Sequence, residues 1–212
     1  MDTESLRITV VLFEGFELLD VFGPVQLLQS VPSITVDFAG PTAAPVASSQ
    51  GVEVVPTLTY GRIKPTSVLL VPGGKGTREL VGDESFLSWL RGAGSEATVV
   101  SAVCTGSAVL AAAGLLEGYA ATSNKRAFNW ASSFGDDVIW RPEARWVHDR
   151  GRWTSSGVAA GMDMAVVLIA HLVSAEAADE SANFAEYEPH RDSEWDPFAG
   201  LYGLAPSSGD VK

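Results

Sequence analysis

Three times the chain passes from a short aliphatic stretch through a glycine-containing turn into a segment with helical periodicity. Ile8 to Phe13 is followed by Gly15, then by apolar residues at helical spacing from Leu19 to Leu28 with Pro24 near the start. Ser67 to Val71 runs into Pro72-Gly73-Gly74-Lys75-Gly76 and a helical pattern from Arg78 to Arg91. Thr98 to Val103 ends on Cys104 and Gly106, and an Ala- and Leu-rich helix from Ser107 to Leu116 follows, closed by Gly118. Short apolar strands alternating with amphipathic helices predict an α/β fold, with a mostly parallel sheet and helices on both faces.

The remaining segments fit that frame. Ile34 to Ala39 reads as another strand. Val46 to Thr59 alternates around Gln50-Gly51 and Arg145 to Ser155 around Arg150-Gly151, so each is expected to form a hairpin. Val158 to Val173 is a second Ala-rich helix. From Ser174 acidic residues crowd the chain. Trp195 to Leu204 is aromatic and expected to dock onto the body or a partner subunit, and Ala205 to Lys212 is expected to be a disordered tail. The reading is one domain over residues 1–204. Hydrophobic residues make up 46% of the 212, enough to bury a large core. A net charge of −12 repels phosphate backbones and anionic membranes, so neither nucleic acid nor a membrane is an expected partner. The polar start (Asp2, Glu4) is unlike a secretory signal, and the single cysteine suits a reducing cytoplasm.

That cysteine is the chemical focus. A lone Cys commonly packs as a small hydrophobe. Here a strand runs directly into a helix at Cys104, and sites in open α/β sheets lie at the carboxyl ends of strands. A sharp turn would push the side chain outward, as in nucleophile elbows, and the helix N-terminus would favour a thiolate with a lowered pKa. Gly73 and Gly74 follow another strand, so their N–H groups are candidate donors to developing negative charge. Glu14, Glu17 and Asp20 follow the first strand. Asp20 lies among Leu18, Leu19, Val21 and Phe22, where burial would let it carry a proton near neutral pH; the plainer role is a helix N-cap. Asn124, Lys125, Ser155 and Ser156 are candidate substrate-pocket residues. His148, His171 and His190 are scattered, and no spacing suggests a metal site.

Together Val71-Pro72-Gly73-Gly74, Ala102-Val103-Cys104-Thr105-Gly106 and the acid after the first strand resemble the ThiJ/PfpI superfamily. Leu19-Asp20-Val21-Phe22-Gly23-Pro24, Val46-Ala47-Ser48-Ser49 and Ala112-Ala113-Gly114-Leu115-Leu116-Glu117-Gly118 resemble its isocyanide hydratase branch. The resemblance implies a flavodoxin-like three-layer sandwich and a homodimer without cofactor. It implies a nucleophilic Cys104, an acid/base at Asp20, a hydroxyl neighbour at Thr105 and backbone oxyanion donors at Gly73 and Gly74. The implied activity is hydration of isocyanides to N-formamides through a thioimidate. Other branches imply glyoxalase or deglycase activity on methylglyoxal, and a non-catalytic redox sensor is a third reading. Two departures stand out. Thr105 replaces the His that follows the cysteine in protease-like members, which argues against peptidase activity. Thr122-Ser123-Asn124-Lys125 stands where isocyanide hydratases carry Thr-Thr-His-Trp, so polar and cationic groups replace an imidazole and an indole.

Overall fold

A computed structural model describes residues 5–204. The elements run β1 (Leu6–Val11), α1 (Leu18–Leu28), β2 (Ile34–Gly40), β3 (Val46–Ala47), β4 (Glu53–Val54), β5 (Leu58–Thr59), β6 (Val68–Val71), α2 (Thr77–Leu80) and α3 (Glu84–Glu96). They continue β7 (Val99–Val103), α4 (Gly106–Ala112), β8 (Ala120–Ala121), α5 (Phe128–Ala131), β9 (Ile139–Trp140), β10 (Trp146–Asp149), β11 (Arg152–Ser155), α6 (Ala160–Leu172) and α7 (Ala175–Phe184).

Seven strands form one sheet in the order β10-β11-β7-β6-β1-β2-β5. Every pairing is parallel except the β10–β11 hairpin. The central strands are buried throughout, with Val68, Leu69, Val71, Val100, Ala102 and Val103 fully covered. Helices α1, α6 and α7 pack together on one face, while α2 to α5 pack around one another on the other. This is the expected flavodoxin-like sandwich. Because β1, β6 and β7 are parallel neighbours, the segments leaving their carboxyl ends meet at one place. Those segments begin near Asp20, Gly73 and Cys104.

Three expectations need correction, and one stretch gains an element. The helical pattern from Arg78 to Arg91 is two helices, because Asp83 turns extended and its side chain accepts the Phe86 N–H at 3.0 Å, starting α3 afresh. The helix after Cys104 stops at Ala112 rather than Leu116. Gly114 (φ +73°) ends it, with Leu115 N–H donating to the Leu110 carbonyl at 2.9 Å, so Gly114 closes the helix in place of Gly118. The stretch Val46 to Thr59 divides: β3 and β4 pair as a hairpin, but β5 joins the main sheet beside β2. The acidic stretch after Ser174 contains a helix, α7, capped by the Ser174 hydroxyl on the Ala177 N–H at 3.1 Å. The tail assigned to Ala205–Lys212 lies outside the described residues. Among the described residues no helix is long and apolar enough to cross a membrane.

Candidate active site

Cys104 has φ +58°, a left-handed backbone that a non-glycine residue adopts only under constraint. Four hydrogen bonds supply that constraint. Its N–H is shared between the carbonyls of Ser155 (3.2 Å) and Ser156 (3.0 Å). Its carbonyl accepts the hydroxyls of Ser107 and Ser123, each at 3.0 Å. The turn also requires Gly106, since a Cβ there would lie 2.3 Å from the Val71 carbonyl oxygen. The sequence thus ends β7 on an elbow whose strain is held by its surroundings.

The sulfur is enclosed, with Cys104 only 6% exposed. Asn124 Nδ2 donates to Sγ at 3.2 Å, and the backbone N–H groups of Thr105 and Val158 also favour the thiolate. The net direction is nevertheless upward: burial and then the Asp20 charge push the thiol above its ordinary range, outweighing the three donors. This corrects the expectation of a lowered pKa. The donors a thiolate needs are in place, but the site is dry and shares its charge with a carboxyl.

That carboxyl is fully buried. Asp20 sits in the first turn of α1 but points inward, so it is not the N-cap; Glu17 holds that position and caps nothing with its side chain. Asp20 Oδ2 accepts the Gly73 N–H at 2.8 Å. Oδ1 makes no fully formed hydrogen bond, although the Cys104 thiol is near enough to act as a weak donor. Burial raises the pKa to about 7, the Gly73 bond opposes it, and the Glu17 charge adds to it. Glu17 itself is turned to the Gln50 side-chain amide. Of the carboxylates after β1, Asp20 is therefore the one on the sulfur.

The glycine turn does different work from that expected. The Gly73 N–H is taken by Asp20, and the Gly74 N–H donates to Thr105 Oγ1 at 3.2 Å. Neither is free to meet a developing charge. Gly73 instead permits close approach: a Cβ there would stand 2.7 Å from Thr105 N, 2.8 Å from Asp20 Oδ2 and 2.8 Å from Cys104 Cβ. Thr105 Oγ1 is also within 3.2 Å of the Thr77 hydroxyl, so Thr105 fastens the elbow to the turn before α2.

The pocket residues separate. Asn124 and Ser156 line a cavity of about 290 Å³, together with Lys125, Arg126, Arg145, Val158, Phe198 and Tyr202, and Asn124 connects this lining to the sulfur. Ser155 is fully buried outside that lining, and its contribution is the carbonyl under Cys104. Lys125 faces inward: its Nζ donates to Thr122 Oγ1 (2.8 Å) and to the Ala144 carbonyl, and burial lowers its pKa to about 8. None of the groups on the sulfur is a histidine; His148 and His171 pack against Trp153, and His190 against Trp195. Among the described residues no cluster of three or more His, Cys, Asp and Glu could hold a metal ion.

Several contributors had no sequence signal. Val158 has φ +21°, which for a β-branched residue nothing in its identity foretells. Ser107 and Ser123 are ordinary serines until the turn brings both onto one carbonyl. Asn124 does carry a signal, standing where a family motif carries His.

The DJ-1/PfpI family profile matches residues 6–171. The isonitrile hydratase of Pseudomonas putida is 35% identical over 185 residues, covering 87% of this chain and 80% of that protein. The transcriptional regulator GbdR of Pseudomonas aeruginosa is 29% identical over 170 residues, covering 73% of this chain and 45% of the regulator. A ThiJ/PfpI family protein from Pseudomonas syringae superposes with a TM-score of 0.82 at 33% identity, over 88% of this chain and 76% of that one. Drosophila melanogaster DJ-1beta gives 0.78 at 22% identity, over 87% and 99%. With an elbow cysteine facing a buried carboxyl across a Pro-Gly-Gly turn, and a profile match over most of its length, the chain belongs to the DJ-1/PfpI family.

Proposed function

We propose that this chain hydrates isocyanides (isonitriles) to N-formamides, with Cys104 as nucleophile and Asp20 as acid/base. The observation that carries the reading is the pairing of a sulfur ringed by N–H donors with a buried carboxyl whose pKa stands at about 7. Such a carboxyl both accepts and returns a proton at neutral pH. Similarity to an isonitrile hydratase selects the electrophile.

The thiol proton passes to the Asp20 carboxylate as sulfur bonds to the terminal carbon of R–N≡C. Asp20 delivers that proton to the same carbon, leaving the thioimidate R–N=CH–S–Cys104. Ionised again, Asp20 takes a proton from water as the water oxygen bonds to the thioimidate carbon, and the proton goes on to nitrogen. The C–S bond then breaks, the remaining hydroxyl proton returns to sulfur through Asp20, and R–NH–CHO leaves. Asp20 is thus uncharged at the two points where sulfur is negative, thiol deprotonation and C–S cleavage. Since that charge is the second cause raising the thiol pKa, its loss leaves the three donors facing a thiolate.

The test is turnover of an aryl isocyanide followed by formamide absorbance. Wild type is expected to turn over and Cys104→Ala to be inactive. No turnover by wild type, or retained turnover by the variant, would defeat the proposal. Lactate formed from methylglyoxal would favour the glyoxalase reading instead. The redox-sensor reading needs an exposed, acidic thiol, and the enclosed thiol with a raised pKa gives it less support. The same reading takes the protein as a cytoplasmic homodimer, a point for sedimentation analysis.

A further inference from the structure

The family profile ends at residue 171, yet the chain continues along the body to residue 204. This last segment is pinned at buried points. Asp163 accepts from Arg145 Nε (2.8 Å), from the Tyr187 hydroxyl and from the His190 N–H (2.8 Å). Asp196 turns its side chain inward, where Arg145 Nη1 reaches it at 3.5 Å and the Phe198 N–H donates to it at 2.9 Å. Ala199 is buried one residue further on. Between and beyond these pins, Phe198 and Tyr202 are left 51% and 43% exposed, and both line the cavity of about 290 Å³.

The lining of that cavity also includes Asn124, which donates to Cys104 Sγ, and Val158, whose N–H does the same. The cavity therefore leads from two of the sulfur's donors to two aromatic rings. Its buried cations are already engaged, Arg145 by Asp163 and Asp196 and Lys125 by Thr122 and Ala144. What remains for a ligand is ring surface and the exposed Arg126, which also lines the cavity. An isocyanide group is a two-atom rod and fills a small part of such a volume, so the rest suits a ring-sized substituent.

We propose that the segment 187–204 is the specificity wall of the Cys104 site, and that Phe198 and Tyr202 select electrophiles bearing a flat aryl substituent. This rests on the hydratase reading for the natural substrate, but not for the recognition itself. Asp196 and Asp163 are positioning residues that hold the wall through Arg145.

The test uses alkylation of Cys104, which needs no hydratase activity. Rates are measured for iodoacetamide and N-phenyl iodoacetamide on wild type, on Tyr202→Phe and on the double variant Phe198→Ala, Tyr202→Ala. Wild type should prefer the phenyl reagent, and Tyr202→Phe should keep that preference because the ring remains. The double variant should lose about ten-fold of the preference, with the rate for the phenyl reagent falling much more than that for iodoacetamide. Both side chains are about half exposed, so the double variant is expected to fold. An unchanged preference would overturn the proposal. So would an equal fall for both reagents, which would mean the segment merely supports the elbow. In turnover, the same variant should raise KM for an aryl isocyanide and not for a small alkyl one. Absence of all turnover would sink the hydratase reading while the alkylation ratio still decides this one.

Discussion

Asp20 holds its proton because charge is costly where it sits, and that gives the site both its pH dependence and its instability. With a pKa of about 7, the Asp20–Cys104 pair carries two protons below neutrality and has no base. Turnover should therefore rise with pH through about 7 and level off above it, and kcat/KM against pH checks this. Asp20→Asn should remove that limb and lower kcat by about 10²–10⁴-fold. The linkage to stability runs the other way. A carboxyl raised from 3.8 to about 7 on folding is stabilising while protonated, and that contribution is lost as pH climbs from about 4 through 7. Wild type thus gives up on the order of 4 kcal/mol by pH 8. Asp20→Asn should melt at a higher temperature than wild type at pH 8 and at nearly the same temperature at pH 4. An equal Tm difference at both pH values would show that the carboxyl is not held by burial. Asn124 acts on the sulfur directly, so Asn124→Ala should slow iodoacetamide alkylation at pH 8 by about ten-fold, the loss of one hydrogen bond to a charged atom.

At the scale of elements, the site exists because three β-to-α turns converge with almost no space between them. Gly73 is where they touch. Gly73→Ala would press a methyl against Thr105 N, Asp20 Oδ2 and Cys104 Cβ, all within 2.8 Å. Two of those contacts are backbone or Cβ atoms that cannot rotate away. The variant should lose about 1–3 kcal/mol in denaturant unfolding and lose Cys104 alkylation with it. A variant of wild-type stability and reactivity would mean the turns are looser than this geometry. The same convergence explains what was legible in the sequence. Buried parallel strands announce themselves as uniform aliphatic runs, so β1, β6 and β7 could be read, and the carboxyl-end rule then gathered Asp20, Gly73 and Cys104. What each group does at the meeting point could not be read. The glycine N–H groups looked like oxyanion donors because nothing in the sequence shows that Asp20 and Thr105 would claim them. α7 was hidden because its buried face is small, built from Ala178, Ser181 and Ala182, amid exposed acids. The break between α2 and α3 did carry a signal, Gly82-Asp83, which the apolar periodicity across it masked.

For the whole molecule, the question is how a chain with a net charge of −12 fastens its C-terminal stretch to the sheet. Beside the exposed pairs Arg141–Glu194 and Arg191–Asp179, the buried answer is Arg145, just before β10 and only 9% exposed as a side chain, bonded to Asp163 of α6 and Asp196 of the terminal segment. It joins the part of the chain shared with the family to the part beyond it. A buried ion cluster need not add stability over an apolar one, but breaking it strands charge. Arg145→Met leaves two carboxylates, 1% and 0% exposed as side chains, facing each other without their cation. It should lower unfolding stability by about 3–5 kcal/mol. It should also expose residues 187–204 to limited proteolysis before the sheet unfolds, since Tyr187, His190 and Asp196 all reach the body through this cluster. Adding Asp163→Asn and Asp196→Asn to Arg145→Met should restore part of the stability, because the two stranded carboxylates are gone while buried Lys125 loses the Asp196 charge near it. It should restore less of the protection from protease, because neutral amides hold the segment more weakly than the ion cluster does. If Arg145→Met alone is as stable and as protease-resistant as wild type, the terminal segment is held by its apolar contacts and the cluster is incidental.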